Sequence, residues 1–484
     1  MRVLENLEPK NVFEYFEKIC SIPHGSGNMN RISQFCVDFA KERGLEVYQD
    51  EMKNVIIIKE ATKGYEDCEP LIIQGHLDMV CEKRPEKNKD FLTEGLDLCT
   101  DGKKVWADGT TLGGDDGIAV AYALALLDSE ELKHPRLEVV LTVDEETGLY
   151  GAEAIDLSML KGKKLINIDS EEEGYFLTSC AGGLTLLGTV PVEREEKTGI
   201  CATLTVTGLL GGHSGVEIHK GRANANVVLG RVLKACSEKM SVDIIFMEGG
   251  SKDNAIPRLS KAEIQIREEE QKLLEELLIN LQQELRKELH ASDGGIFLKL
   301  ETKKKETAEV LTKESKEKVL HTLMNIPNGI QSYSMDIPGL VETSLNMGIM
   351  KLDGTELKLS FAVRSSVESA KTYLAERTAL FLQIIGGNAE IQGDYPGWAF
   401  SPESKLRETF VEVYERMYGK APIVQAIHAG LECGMFTKKI ENLDCISIGP
   451  DMENVHTSEE TLDVASVKRV WEFLCAVVAE KKYL

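Results

Sequence analysis

The residues best equipped for chemistry stand immediately after short apolar runs. Leu71-Ile72-Ile73-Gln74-Gly75 delivers His76-Leu77-Asp78, the run from Leu137 to Val143 delivers Asp144-Glu145-Glu146, and Leu165-Ile166-Asn167-Ile168 delivers Asp169-Ser170-Glu171. Short, β-branched runs of this kind read as buried strands. In an open α/β sheet, ligands bind beyond the carboxyl ends of the strands. An imidazole and several carboxylates gathered at that edge form a donor set for a hard-to-borderline metal ion. A fourth piece, Leu112-Gly113-Gly114-Asp115-Asp116-Gly117, opens a helical stretch, and its glycines allow a tight turn that pushes Asp115 inward. A late His456, in Glu453-Asn454-Val455-His456-Thr457, completes the pattern.

The elements that must position these groups follow from periodicity. Residues 1–185 alternate helical and strand-like segments, with small-residue helical spacing from Gly117 to Leu127. This predicts an α/β fold with a mainly parallel sheet flanked by helices. From about 186 the character changes to longer strands, a charged amphipathic helix over Glu268 to Leu289, and the glycine-flanked Gly211-Gly212-His213-Ser214-Gly215. Near 395 the first pattern resumes. Ser401 and Pro402 predict a helix start, with Ser401 as N-cap and Pro402 in the first helical position. The predicted organisation is a discontinuous catalytic domain, 1–185 plus 395–484, with an inserted α+β lid domain over 186–394.

Composition narrows the function classes. The chain has 484 residues, 42% hydrophobic and 28% charged, which is ordinary globular composition. Its formal charge of -24 repels a phosphate backbone, so nucleic acid is not an expected partner. The longest apolar run, Ile118 to Leu127, is about half a membrane span, and no membrane partner is expected. Acids stand at Glu5 and Glu8, where a signal peptide would have an apolar core, so a cytoplasmic protein is expected. The eleven cysteines are scattered, without a C-x-x-C pair, and read as reduced thiols.

Taken in order, His76-Leu77-Asp78, Gly114-Asp115-Asp116-Gly117, Asp144-Glu145-Glu146-Thr147-Gly148, Asp169, Gly212-His213-Ser214-Gly215 and His456 resemble the carnosinase and aminoacylase superfamily of di-zinc metallopeptidases. Within it the chain is most similar to the aminoacyl-histidine dipeptidases, also called Xaa-His or cytosolic non-specific dipeptidases. Thr110-Thr111-Leu112-Gly113, Gly221-Arg222-Ala223-Asn224-Ala225, Asp253-Asn254-Ala255-Ile256-Pro257 and His428-Ala429-Gly430-Leu431-Glu432-Cys433-Gly434 carry that closer likeness, which covers essentially the whole chain. One departure is Gly114-Asp115-Asp116, where relatives often have Ala before the first Asp and Asn after it.

The resemblance implies roles. Asp115 bridges two metal ions, His76 and Asp169 complete one site, and Glu146 and His456 complete the other. Nitrogen and oxygen donors without cysteine suit two zinc ions per chain and also tolerate cobalt or manganese. Asp78 accepts the second imidazole N–H of His76 and fixes its tautomer. Glu145 is the general base; residue types alone do not distinguish it from Glu146. His213 reaches the active site of a partner subunit and stabilises the oxyanion, so a homodimer through the lid domain is implied. Arg364 grips the substrate carboxylate with its guanidinium fork, Asn254 hydrogen-bonds substrate, and Gly430 shapes the pocket. The implied activity is hydrolysis of dipeptides by a hydroxide held between two zinc ions. An aminotripeptidase or aminoacylase-type amide hydrolase uses the same ligands. A non-enzymatic metal-binding scaffold is the rival from another class, and the presence of every ligand together with Glu145 argues against it.

Overall fold

The computed structural model describes residues 2–481. Contacts divide the chain into two compact units. One comprises Met1–Cys180, Trp398–Ala426 and Leu431–Leu484; the other comprises Ala181–Gly397 and Ile427–Gly430. No sequence feature marks 427–430 as part of the second unit. Among the described residues no helix is long and apolar enough to cross a membrane, and the eleven cysteines are free thiols.

The first unit is built on an eight-stranded sheet. Its order is Glu46–Gln49, Val55–Lys59, Leu137–Thr142, Leu71–His76, Lys164–Asn167, Asp444–Ser447, Tyr175–Cys180 and Ile423–Ile427. The four central strands, Leu137–Thr142 to Asp444–Ser447, run parallel. Leu71–His76, Leu137–Thr142 and Lys164–Asn167 are buried along their whole length, which is why they read as mainly apolar rather than alternating. Val55–Lys59, equally apolar, instead runs antiparallel to its neighbour Leu137–Thr142. Periodicity reports burial, not direction.

Helix Gly114–Asp128 is buried on all sides from Gly117 to Leu127 and packs on helix Lys10–Cys20. Its small residues permit this. A Cβ at Gly117 would already lie 3.3 Å from the Phe16 ring. Strands Met452–Glu453, Thr461–Asp463, Lys104–Ala107 and Leu98–Thr100 form a separate four-stranded sheet. The helix expected at Ser401 begins later, at Lys405–Tyr418. Ser404 is the N-cap and its side chain accepts from Arg407 N–H. Asp444 decides this start: its carboxylate accepts from Ser404 Oγ–H at 2.6 Å and from Leu406 N–H at 3.0 Å. The Arg407 guanidinium meanwhile binds the Ser401 and Pro402 carbonyls and holds that segment outside the helix.

The second unit is a nine-stranded sheet whose paired neighbours run antiparallel, from Phe297–Leu311 at one edge to Asn388–Tyr395 at the other. Strand Gly182–Pro191 alternates buried and half-buried residues, the pattern of a sheet with one face on a core. Helices Ala225–Ser237, Lys313–Asn325 and Glu368–Ile384 contribute to that core. Helix Gln271–Glu288 buries only Leu274, Leu278 and Leu285 and exposes its charged face.

Candidate active site

The carboxyl edge of the parallel strands gathers the first unit's chemistry. His76 is the last residue of Leu71–His76 and is fully buried. Its Nδ1 lies 3.0 Å from the main-chain oxygen of Asp78 and 3.5 Å from that residue's Oδ1. The sequence assigned the orienting bond to the Asp78 carboxylate; the closer acceptor is the carbonyl. With Nδ1 donating, the Nε2 lone pair is left for a cation held jointly with Asp115 Oδ1, 3.0 Å away, and Asp169 Oδ1, 3.8 Å away. The Asp78 carboxylate instead accepts from Ser26 Oγ–H at 2.8 Å and from the main-chain N–H groups of Glu145 and Glu146 at 3.1 and 3.4 Å.

Asp115 uses both oxygens. Oδ1 faces His76, and Oδ2 lies 3.0 Å from His456 Nε2, which is also 2.9 Å from Glu146 Oε1. Asp115 is extended, with φ -82° and ψ 104°, so it stands out from the helix that follows. Asp144, which opens the Asp144-Glu145-Glu146 loop, has φ +53° and accepts Gly27 N–H at 2.8 Å. Asp169 follows Lys164–Asn167, and Ser170 behind it is tied to Ile448 O and to Ser447 Oγ.

Among the described residues, ligand-type atoms lie within 4.8 Å of one another in three groups: Asp115, Glu146 and His456; His76, Glu145 and Glu146; and His76, Asp116 and Asp169. The last group contains a residue the sequence reading passed over. Asp116 is fully buried, accepts the His76 main-chain N–H at 3.0 Å, and leaves Oδ1 without a partner. Gly75 makes room for it, because a Cβ there would fall 2.6 Å from Asp116 Oδ2.

Electrostatics favour cations in this cluster. Two imidazoles meet Asp115, Asp116, Asp169, Glu145 and Glu146, and so much negative charge in a buried site is costly without a counter-charge. Burial pushes the Glu145 carboxyl up to about 8; the charge of His76 opposes this, while those of Glu432, Glu146 and Asp115 add to it. Nitrogen and carboxylate donors with an unpartnered buried oxygen suit divalent transition metals.

Glu432, whose role the sequence did not reveal, lies fully buried at the start of helix Glu432–Lys439. Its Oε2 accepts from Thr142 Oγ1–H at 2.6 Å and from Gln74 Nε2–H. Gln74 Oε1 in turn accepts from Asn167 Nδ2–H at 2.6 Å. This network crosses the three strands that deliver His76, Glu145 with Glu146, and Asp169.

The second unit brings His213, Arg364 and His428 together. His213 lies on the short strand Gly212–His213, paired with Ala255–Ile256. Its Nδ1 accepts the N–H groups of Gly215 and Val216, each at 3.2 Å, so the proton of the neutral ring sits on Nε2. Burial lowers the His213 pKa, and the charge of Arg364 lowers it further. Arg364 is buried; Nη1 donates to Tyr395 Oη at 3.0 Å and Nε has no partner. His428 Nε2 lies 2.8 Å from Ser344 Oγ, and burial with the Arg364 charge pushes its pKa down to about 3. Gly430 lies against Tyr395: a Cβ there would come within 2.9 Å of the ring. Asn254 gives its carbonyl to Ser214 N–H at 2.8 Å and is itself exposed.

Comparison with known proteins identifies the family. The model of peptidase family M20/M25/M40 matches residues 72–480. A cytosol non-specific dipeptidase of Escherichia coli (strain K12) is 37% identical over 482 residues, covering 99% of each chain. The crystal structure of an aminoacylhistidine dipeptidase from Vibrio alginolyticus is 35% identical and superposes with a TM-score of 0.92, covering 98% of this chain and 97% of that one. An aminopeptidase from Bacillus cereus, at 15% identity and a TM-score of 0.56, shares the fold. Together with a donor set suited to divalent metals, these likenesses establish that the chain belongs to peptidase family M20/M25/M40, whose members are metal-dependent hydrolases.

Proposed function

We propose that this chain is a cytosolic dipeptidase, acting on Xaa-His or on a broad set of dipeptides, with two zinc ions per chain, which cobalt or manganese can replace. The observation that carries the reading is that one carboxylate, Asp115, faces His76 with one oxygen and His456 with the other. His76 and Asp169 would hold one ion with Asp115; Glu146 and His456 would hold the second. The ions, when bound, polarise the scissile carbonyl and acidify a water enough for attack at neutral pH.

The chain's own residues do the rest. Glu145 takes the proton from the attacking water and returns it to the leaving amine. Asp78 holds the Glu145 main chain in place. His213, neutral with its proton on Nε2, is a donor suited to the developing oxyanion. Arg364, with an unpartnered Nε, takes the substrate's terminal carboxylate. Asn254 and Gly430 border the substrate. The inserted unit serves as lid and dimerisation domain, and His213 acts on the site of a second copy of the chain.

Hydrolysis of carnosine, Gly-His, Ala-Ala, a tripeptide and an N-acetyl amino acid, with and without chelator, tests the reading. Chelator-sensitive cleavage confined to the dipeptides is the expected result. Preferential cleavage of the tripeptide or of the N-acetyl amino acid overturns it.

A further inference from the structure

Glu460 lies outside every role assigned above, yet it joins the two loops that carry Asp115 and His456. It stands at the base of the hairpin between Met452–Glu453 and Thr461–Asp463, whose loop holds His456. Its side chain leaves the hairpin for the glycine turn before Asp115. Oε2 accepts the N–H groups of Leu112 at 2.8 Å and Gly113 at 3.2 Å, and Oε1 accepts that of Gly114 at 2.8 Å. The residue is 2% exposed, so water does not compete for these bonds. The turn it grips is unusual: Gly113 has φ +66°, and no side chain of the turn caps helix Gly114–Asp128. The first N–H groups of a helix lack partners within it. Here a carboxylate from some 350 residues away in sequence supplies them.

We propose that Glu460 is a positioning residue that clamps the Asp115 turn to the His456 hairpin and so sets the distance between the two ligands. The inference rests on the reading of Asp115 and His456 as metal ligands. Glu460→Gln keeps the size but offers one oxygen in place of two, so it cannot hold all three N–H groups. A mere helix cap would lower the stability of metal-free and metal-loaded protein alike. A clamp sets metal affinity as well, and losing an outer partner of a metal ligand weakens binding by about 10- to 100-fold.

The test is titration of chelator-stripped wild type and Glu460→Gln with Co(II), read by the visible absorption of bound cobalt and by calorimetry, with melting temperatures taken before and after loading. The expected result is one cobalt held about ten-fold or more weaker in the variant, an altered absorption envelope, and a smaller metal-dependent rise in melting temperature. Cobalt affinities within about twofold of wild type, with an unchanged envelope, overturn the proposal even if the variant is less stable. Should Glu460→Gln not fold, Glu460→Asp, which keeps the charge but is one methylene short, is judged by the same two results. A wild type that takes up no cobalt refutes the metal-site reading and the clamp with it. A wild type that binds cobalt no better than the variant refutes the clamp alone.

Discussion

The carboxylate of Asp78 accepts the main-chain N–H of Glu145 at 3.1 Å, while its carbonyl lies 3.0 Å from His76 Nδ1. One residue therefore orients both the proposed base and a proposed ligand. Glu145→Gln keeps the main-chain bond and removes only the ionisable oxygen. It should retain its metals by elemental analysis and lose about 10²- to 10⁴-fold in turnover. A variant that keeps more than about a tenth of the wild-type rate would show that another group is the base.

Metal content distinguishes Glu146 from its neighbour. Glu146 Oε1 meets His456 Nε2 at 2.9 Å, in the same group as Asp115. Wild type saturated with zinc should carry two ions per chain, and Glu146→Gln close to one, because a charged ligand is lost. Two tightly held ions in Glu146→Gln would remove Glu146 from the ligand set.

The metal-free protein should lose stability as pH rises through neutrality. Burial raises the Glu432 carboxyl from 4.5 to about 7; the charges and bonds of His76, Thr142 and Gln74 oppose this, and Asp78 adds to it. The fold thus holds that proton more tightly than the unfolded chain does. The resulting stability is complete below about pH 4.5 and is lost as pH climbs through about 7, by up to about 3 kcal/mol. Glu432→Gln cannot ionise, and its amide oxygen can still accept from Gln74 and Thr142. Urea unfolding of metal-free protein at pH 5 and pH 8 should show a smaller difference in the variant. An equal difference would place the titration elsewhere.

Arg364→Lys should raise KM for dipeptides much more than it lowers kcat. A lysine is a point charge and cannot match a carboxylate with two parallel bonds. Dipeptides amidated at the C-terminus should be hydrolysed poorly by wild type and lose little further in the variant. If kcat falls instead and KM holds, Arg364 acts on the transition state rather than on the carboxylate.

Subunit mixing tests where His213 acts. Inactive His213→Ala and Glu145→Gln chains are allowed to exchange. If His213 serves the second copy, a mixed dimer has one site with both defects and one with neither. About half the dimers are mixed at equal ratio, so about a quarter of wild-type activity should return. No rescue, with exchange shown by mass, would mean that His213 works within its own chain or not at all.

Three of the four central strands were legible because each is buried on both faces and so appears as a mainly apolar run, with its chemistry held at or just beyond the final residue. His76, Asp115, Glu145, Glu146 and Asp169 stood out as candidates because strand ends and a glycine turn are local features; the full ligand set with His456 came from the family resemblance. Sequence could not separate Glu145 from Glu146, because adjacent acids differ only in where the loop turns them. It could not foresee Asp116 beside His76, which depends on Gly75 across the strand–helix contact. Nor could it see Glu432 under Gln74 and Thr142, or Glu460 at Leu112 to Gly114, since those bonds span hundreds of residues. The helix start at Lys405 rather than Ser401 has the same origin, a carboxylate from Asp444. Periodicity and residue type record what a segment buries and what it can donate; which distant carboxylate meets which N–H is decided only when the chain has folded.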